Sequence, residues 1–164
     1  MRRVEALWHR REVVAVGETP SSVGLRELIA RVPVARLATV RPDGSPHIVP
    51  ICFALAEQVL YTAIDRKPKR SSRLVRLENV EANPRVAVLV DHYDDDWSRL
   101  WWVRLDGRAR VLTDGSERTR ALALLADRYP QYSREAPAGP VIAIDVGTWR
   151  SWAFDPEIFS RGDA

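Results

Sequence analysis

From Asp65 to Asn83 the chain reads DRKPKRSSRLVRLENVEAN, so that Arg66, Lys67, Lys69, Arg70, Arg73 and Arg76 crowd behind the apolar run QVLYTAI. Guanidinium and ammonium groups at this density can hold anionic oxygens, phosphate above all, through charge-assisted hydrogen bonds of roughly 1.5–3 kcal/mol each when well formed. The alternative is a solvated helix face, the ordinary fate of a charge run. A helix opening after Pro68 would add N–H groups and a favourable dipole to the anion reading. His9, His47 and His92 are far apart in sequence and no Cys/His pair has metal-ligand spacing. There is no GxSxG, GxGxxG or P-loop, and no recognisable pair of catalytic carboxylates. Asp65 and Tyr93 are explained equally well by a loop and a strand end, so no catalytic acid or base is assigned. The single cysteine, Cys52, excludes an internal disulfide and reads as a small core residue in HIVPICFAL.

The rest of the chain must position these groups. With 164 residues, 46% hydrophobic and 29% charged, it has enough apolar matter for one globular domain with a core. Its 25 basic residues face 22 acidic ones, so a net charge of +3 gives no bulk argument for nucleic acid. The acidic stretch DHYDDDW, with Asp91, Asp94, Asp95 and Asp96, reads as a solvated loop that would repel a duplex. No apolar run reaches membrane-spanning length, and Glu5, His9, Arg10, Arg11 and Glu12 interrupt the start of the chain, which therefore lacks a secretory core. A soluble cytoplasmic protein with neither nucleic-acid nor membrane partners is expected.

Strands dominate the pattern. Val32 to Arg41, the turn RPDGSPH and the run HIVPICFAL predict a hairpin, and QVLYTAI a third strand after a break at Ala56 and Glu57. Leu74, Leu77 and Val80 recur at helical spacing up to Asn83 and Pro84. RVAVLVDHY is a fourth strand, and Leu100 to Asp114 reads as one long strand or a pair bent about Gly107. SERTRALALLADRYP predicts a helix with Ser116 as N-cap and Leu122, Leu125 and Ala126 as its apolar stripe. VIAIDVGTWRSWAF closes the sheet, and SSVGLRELIARV is a short helix. Antiparallel strands with two to four helices make a closed or partly closed barrel of the α+β class the expected fold. Residues 1–20 form an N-terminal extension of uncertain structure, and 21–164 a single domain.

The segments ARLATVRPDGSPHIVPICF, LYTAIDRKPKR, RLENVEANPRVAVLV and DGRARV, in this order, resemble the split-barrel flavin and deazaflavin reductases. That group includes the pyridoxamine 5'-phosphate oxidase-like proteins and the coenzyme F420-dependent enzymes of actinobacteria. The resemblance spans Ile29 to Phe154. It implies an FMN-binding-like split barrel, a homodimer with the cofactor in the groove between subunits, and hydride transfer between reduced F420 and a small organic acceptor. FMN is the alternative cofactor, and a non-catalytic carrier of the same fold the alternative role. The family's basic-plus-asparagine helix start is stretched here into KPKRSSRLVRLEN.

A flavin-like ring is flat, apolar on its faces and polar along one edge, so an extended strand can offer backbone groups to that edge. His47, Ile48, Val49, Pro50 and Ile51 suit this task, as do Thr62, Ala63 and Ile64 in the next strand. Pro50 has no N–H for a ladder and marks either an edge or a bulge where pairing is interrupted. His47 would line the ring edge or cap the turn after Pro46. Thr62 would donate its hydroxyl to phosphate or serve as an ordinary strand threonine. Lys67, Lys69, Arg70 and Arg73 are the candidate phosphate ligands. Trp101, Trp102, Trp149 and Trp152 are expected in core and interface.

Overall fold

The computed structural model describes residues 22–64 and 75–159. Strand β1 (Ala35–Val40) buries Ala35, Leu37 and Thr39 and exposes Arg36, the period of two of a half-buried strand. A tight turn leads into β2 (Pro46–Ile51). There Asp43 accepts the Ser45 backbone N–H at 2.9 Å, and Gly44 adopts φ +85°, open to glycine at no steric cost.

The run HIVPICFAL is not one strand. β2 ends at Ile51, and β3 (Ala54–Ala56) pairs with β4 (Val59–Ala63) instead of β1. Between them Phe53 is fully buried and its N–H is taken by the Tyr129 hydroxyl, which pins the chain where it leaves one edge of the sheet for the other. Cys52, expected in the core, is consequently only half-buried at this crossing. Glu57, at φ 54°, makes the turn between β3 and β4.

With β5 (Arg85–His92), β6 (Trp101–Leu112) and β7 (Val141–Ala153), the seven strands form one antiparallel sheet in the order β2-β1-β5-β6-β7-β4-β3. β6 is a single long strand whose register shifts between Asp106 and Gly107. A Cβ at Gly107 would stand 2.5 Å from the Asp145 carbonyl oxygen, so only glycine lets β7 pass this closely. The sheet curls until Leu37, Ile51, Leu60, Val88, Leu105 and Ile144 share one core. Its end strands β2 and β3 are joined through Cys52 and Phe53 but not paired with each other, which makes the barrel split.

Helix α1 (Ser22–Ala30) sends Leu25 and Ile29 into that core, four residues apart on one face. Helix α2 (Val75–Ala82) packs on β1 and β6 with Asn79 and Val80 buried. Helices α3 (Gly115–Arg128) and α4 (Pro130–Arg134) cover part of the outer sheet face, where Ala121, Leu125 and Tyr129 meet Tyr61, Ala63 and Val141. Helix α3 starts one residue before the expected N-cap Ser116. Asp114 holds the N-cap position without a side-chain bond, and Gly115, at φ +88°, turns the chain into the helix. No helix among the described residues is long and apolar enough to cross a membrane.

Among the described residues no helix covers the remaining outer face. Cross-strand register places Ile48, Ala38 and Ala87 in one row, Pro50, Arg36, Leu89 and Arg104 in the next, and Trp102 beside Trp152 in a third. Ile48 is 65% exposed, and both tryptophans are half-buried. Trp101 is core, as expected of one of the four, while Trp149 packs against the core and donates its indole N–H to Gln58 at 3.3 Å.

Candidate functional site

The phase of the β1–β2 ladder decides what the edge strand offers. The Arg41 N–H donates to the Ser45 carbonyl at 2.9 Å, which makes this a hydrogen-bonded pair. Alternation along the register then directs the backbone groups of His47, Val49 and Ile51 toward β1 and those of Pro46, Ile48 and Pro50 outward. Pro50 therefore does not interrupt pairing, as a bulge would. Its missing N–H lies on the free side, and the strand stays in register through Arg36. Two of the three outward residues are prolines, so the edge presents carbonyls and one donor, the Ile48 N–H.

Among the described residues β4 also leaves part of one edge unpaired. β3 pairs with it only from Val59 to Tyr61, so Thr62, Ala63 and Ile64 run on past the end of β3. On their other side they are held by β7 and by a bond from the Ile64 N–H to the Pro140 carbonyl at 3.0 Å. Topology thus sets the two stretches singled out by sequence on the two sides of the barrel's split. All three residues are buried. Thr62, at 2% exposure, faces inward with Leu60 and Ile64, whereas Ala63 faces α3.

His47 does not cap its turn; Asp43 does, through Ser45. The imidazole Nδ1 lies 3.3 Å from Oγ1 of Thr39, its cross-strand neighbour, and Asn79 donates its amide N–H to the same oxygen at 2.8 Å. Thr39 and Asn79 are 3% and 1% exposed, whereas His47 is half-buried. Burial, and then the guanidinium charges of Arg41 and Arg76, hold the His47 pKa below the ordinary histidine value and keep the ring neutral at pH 7. Arg76 belongs to the basic run but is not one of the candidate ligands. Its position three residues before Asn79, hence on the same helix face, is the signal that points to it.

Lys67, Lys69, Arg70 and Arg73 lie outside the described residues, immediately after Ile64. No cluster of His, Cys, Asp or Glu able to hold a metal ion occurs among the described residues. A cavity of about 380 Å³ sits between the β3–β4 hairpin and the start of α3, lined by Tyr61, Glu57, Glu117 and Arg120 among others. Its charges are spent on partners: Arg120 on Glu57 at 3.3 Å, Glu117 on Arg110 at 2.6 Å, and the Tyr61 hydroxyl on Glu117 at 3.1 Å. The β2 edge, by contrast, turns the Ile48 N–H outward, with Arg41 exposed at the start of its hairpin turn.

Residues 24–153 match the family model described as pyridoxamine 5'-phosphate oxidase. No curated protein sequence matches. Among solved structures, a hypothetical protein of Mycobacterium tuberculosis superposes with TM-score 0.69 at 19% identity, over 83% of this chain and 86% of that one. An F420 reductase gives TM-score 0.57 at 26% identity, over 76% and 94% of the two chains. An FAD-binding protein of Mesorhizobium loti gives 0.59 at 24% identity, over 80% and 93%.

Proposed function

The chain belongs to the pyridoxamine 5'-phosphate oxidase family, and from that premise we propose that it is an oxidoreductase using coenzyme F420 to reduce a small organic acceptor. The observation that carries this reading is the pair of free backbone edges, Pro46–Ile51 and Thr62–Ile64, facing the split directly before the basic run. A planar ring with a polar rim fits such an edge: the Ile48 N–H and the outward carbonyls meet the rim, and apolar side chains bound the faces. Arg41, Arg76 and the basic run from Arg66 to Arg73 suit the phosphate and the anionic tail that follows it in F420. The bound deazaflavin supplies hydride. The protein holds ring and tail, keeps His47 neutral beside them, and excludes water. No side chain is given a proton-transfer role.

The F420 reductase among the structural neighbours supports this cofactor, and the FAD-binding neighbour supports the second reading, a flavin enzyme using FMN in the same split. A carrier that binds cofactor without turnover is the third. Length of the cationic track favours F420, because FMN ends at its phosphate.

The assembly proposed is a homodimer. The uncovered outer face bearing Ile48, Leu89, Trp102 and Trp152 is the surface for a second copy, which would close the groove over the split. Stable pairs bury about 800 Å² per partner, the area this face would have to contribute.

Fluorescence titration of the purified protein with F420 and with FMN, followed by hydride-transfer assays, tests the proposal. Tighter binding of F420 is expected. Equal or tighter binding of FMN moves the assignment to the flavin reading, and binding without turnover on any acceptor moves it to the carrier.

A further inference from the structure

The chain of side chains Asn79–Thr39–His47 has a direction. An asparagine Nδ2 can only donate, so at 2.8 Å it occupies a lone pair of the Thr39 oxygen. The Thr39 hydroxyl proton is then free to be given away, and its neighbours are Nδ1 of His47 at 3.3 Å and the His47 carbonyl at 3.5 Å. Oγ1 keeps a second lone pair, so Nδ1 is an acceptor when the hydroxyl proton goes to it, the nearer of the two neighbours, and the His47 carbonyl already takes the Thr39 backbone N–H in this hydrogen-bonded pair. A neutral imidazole whose Nδ1 accepts must carry its proton on Nε2. Nε2 makes no hydrogen bond among the described residues and is not one of their buried polar atoms lacking a partner, so it reaches the surface of the half-buried residue.

We propose that Asn79 and Thr39 are positioning residues that lock His47 as the Nε2–H tautomer, making it a fixed, uncharged hydrogen-bond donor to the phosphate of the bound cofactor. This rests on the cofactor reading above and assigns one donor within it. The placement of two cations favours an anionic oxygen as acceptor: Arg41 pairs with Ser45 two residues before His47, Arg76 lies one turn before Asn79 on α2, and the charges of both act on the ring. Asn79 lies on α2, so the helix that follows the basic run also sets the donor on β2. An aspartate in its place would reverse the chain. Its carboxylate would accept the Thr39 proton, the Thr39 oxygen would turn acceptor toward Nδ1, and the ring proton would move to that nitrogen.

Long-range proton–nitrogen NMR of protein with labelled histidine reads the tautomer directly without cofactor, His47 being assigned by the His47→Gln variant. The parent at pH 8 is expected to show a pyridine-like Nδ1 and a pyrrole-like Nε2. Asn79→Asp is expected to give Nδ1 pyrrole character, and Thr39→Val, which cuts the chain, to let the Nδ1–H form appear; Thr39→Ser should behave as the parent. A parent with its proton on Nδ1, or a tautomer unmoved in both Asn79→Asp and Thr39→Val, would overturn the lock. In the second arm, His47→Phe is expected to weaken FMN, which carries phosphate, about 2- to 10-fold more than riboflavin, which does not. Equal losses for the two ligands would overturn the phosphate assignment. Failure of the parent to bind FMN or F420 at all would instead overturn the cofactor reading, while the spectra still decide the lock.

Discussion

The backbone N–H of Phe53 donates to the Tyr129 hydroxyl at 3.0 Å, 76 residues away, and the same hydroxyl lies 3.0 Å from the carbonyls of Phe53 and Pro33. One phenol thus accepts the Phe53 N–H and offers its single proton to the two carbonyls at the crossing between β2 and β3, the point where the barrel splits. Tyr129→Phe removes the oxygen and leaves those groups dry, which costs about 1–3 kcal/mol for a buried donor left unpaired. Urea denaturation of parent and variant measures it. A loss within a few tenths of a kcal/mol would show that water replaces the hydroxyl.

Two glycines separate steric from conformational need. At Gly107 a methyl would meet the Asp145 carbonyl at 2.5 Å, so Gly107→Ala must push β6 and β7 apart at the bulge and should cost about 1–3 kcal/mol. At Gly44 nothing stands within 4 Å, but φ is +85°, so Gly44→Ala should cost about 1–2 kcal/mol through backbone strain alone. Thermal unfolding checks both. Binding of cofactor should survive at Gly107, while Gly44, in the turn leading to β2, should be the one that alters it.

Much of this was readable from residue types. The β-branched residues of Val32 to Arg41 and the apolar runs of β5 to β7 announced the sheet, and glycine within LDGRARV announced an irregularity, which is the register shift of β6. The order of segments pointed to the split barrel and to the strands that flank its opening. Three things were not readable. The break at Cys52 depends on Tyr129, a partner far along the chain, which no local pattern encodes. The innocence of Pro50 depends on ladder phase, set by the turn at Arg41 and Ser45. The role of Thr39 appears only when α2 is folded over β1, because a threonine in ARLATV looks like any strand threonine.

Glu117 ties α3 to the sheet and should leave a mark in the acid limb of stability. The two bonds from Arg110, at 2.6 Å each, with the Tyr61 hydroxyl at 3.1 Å, hold its carboxyl below the usual glutamate range. A carboxyl with a depressed folded pKa stabilises the fold above its unfolded pKa, and that contribution is lost as pH falls through the folded value. Glu117→Gln should therefore cost little, about 0.2–1 kcal/mol for a pair this exposed, at pH 7. Below roughly pH 4.3 the difference between parent and variant should shrink. Chemical denaturation at pH 7 and pH 3 measures both, and a difference that grows toward acid would contradict the sign.

Ile48 tests the proposed homodimer because it is 65% exposed, lies on the face that no described helix covers and has little packing to lose in a monomer. Ile48→Asp should leave the monomer fold unchanged by circular dichroism and place a charge in an apolar interface. Light scattering at micromolar concentration should give the mass of a dimer for the parent and of a monomer for the variant. A monomeric parent would remove the outer face as an interface. A dimeric variant would move the interface elsewhere.

Lys67 and Lys69 decide whether the basic run is an anion site or a solvated face. If both contact the cofactor's phosphate and tail, replacing them with alanine removes two charge-assisted contacts, a loss of roughly 2–4 kcal/mol in binding after allowance for exposure. Stability should hardly change, since surface lysines contribute little to it. Salt should imitate part of the loss, because exposed ion contacts are screened over about 10 Å at 0.1 M. The parent's affinity for F420 should then fall with added salt more steeply than the double variant's. The difference should be smaller for FMN, which has no anionic tail beyond its phosphate. Calorimetric titration of parent and variant at low and high salt supplies the four numbers needed. If the variant binds as the parent does at both salt concentrations, the run is a solvated face, and anion binding falls to Arg41, Arg76 and the donor His47 alone.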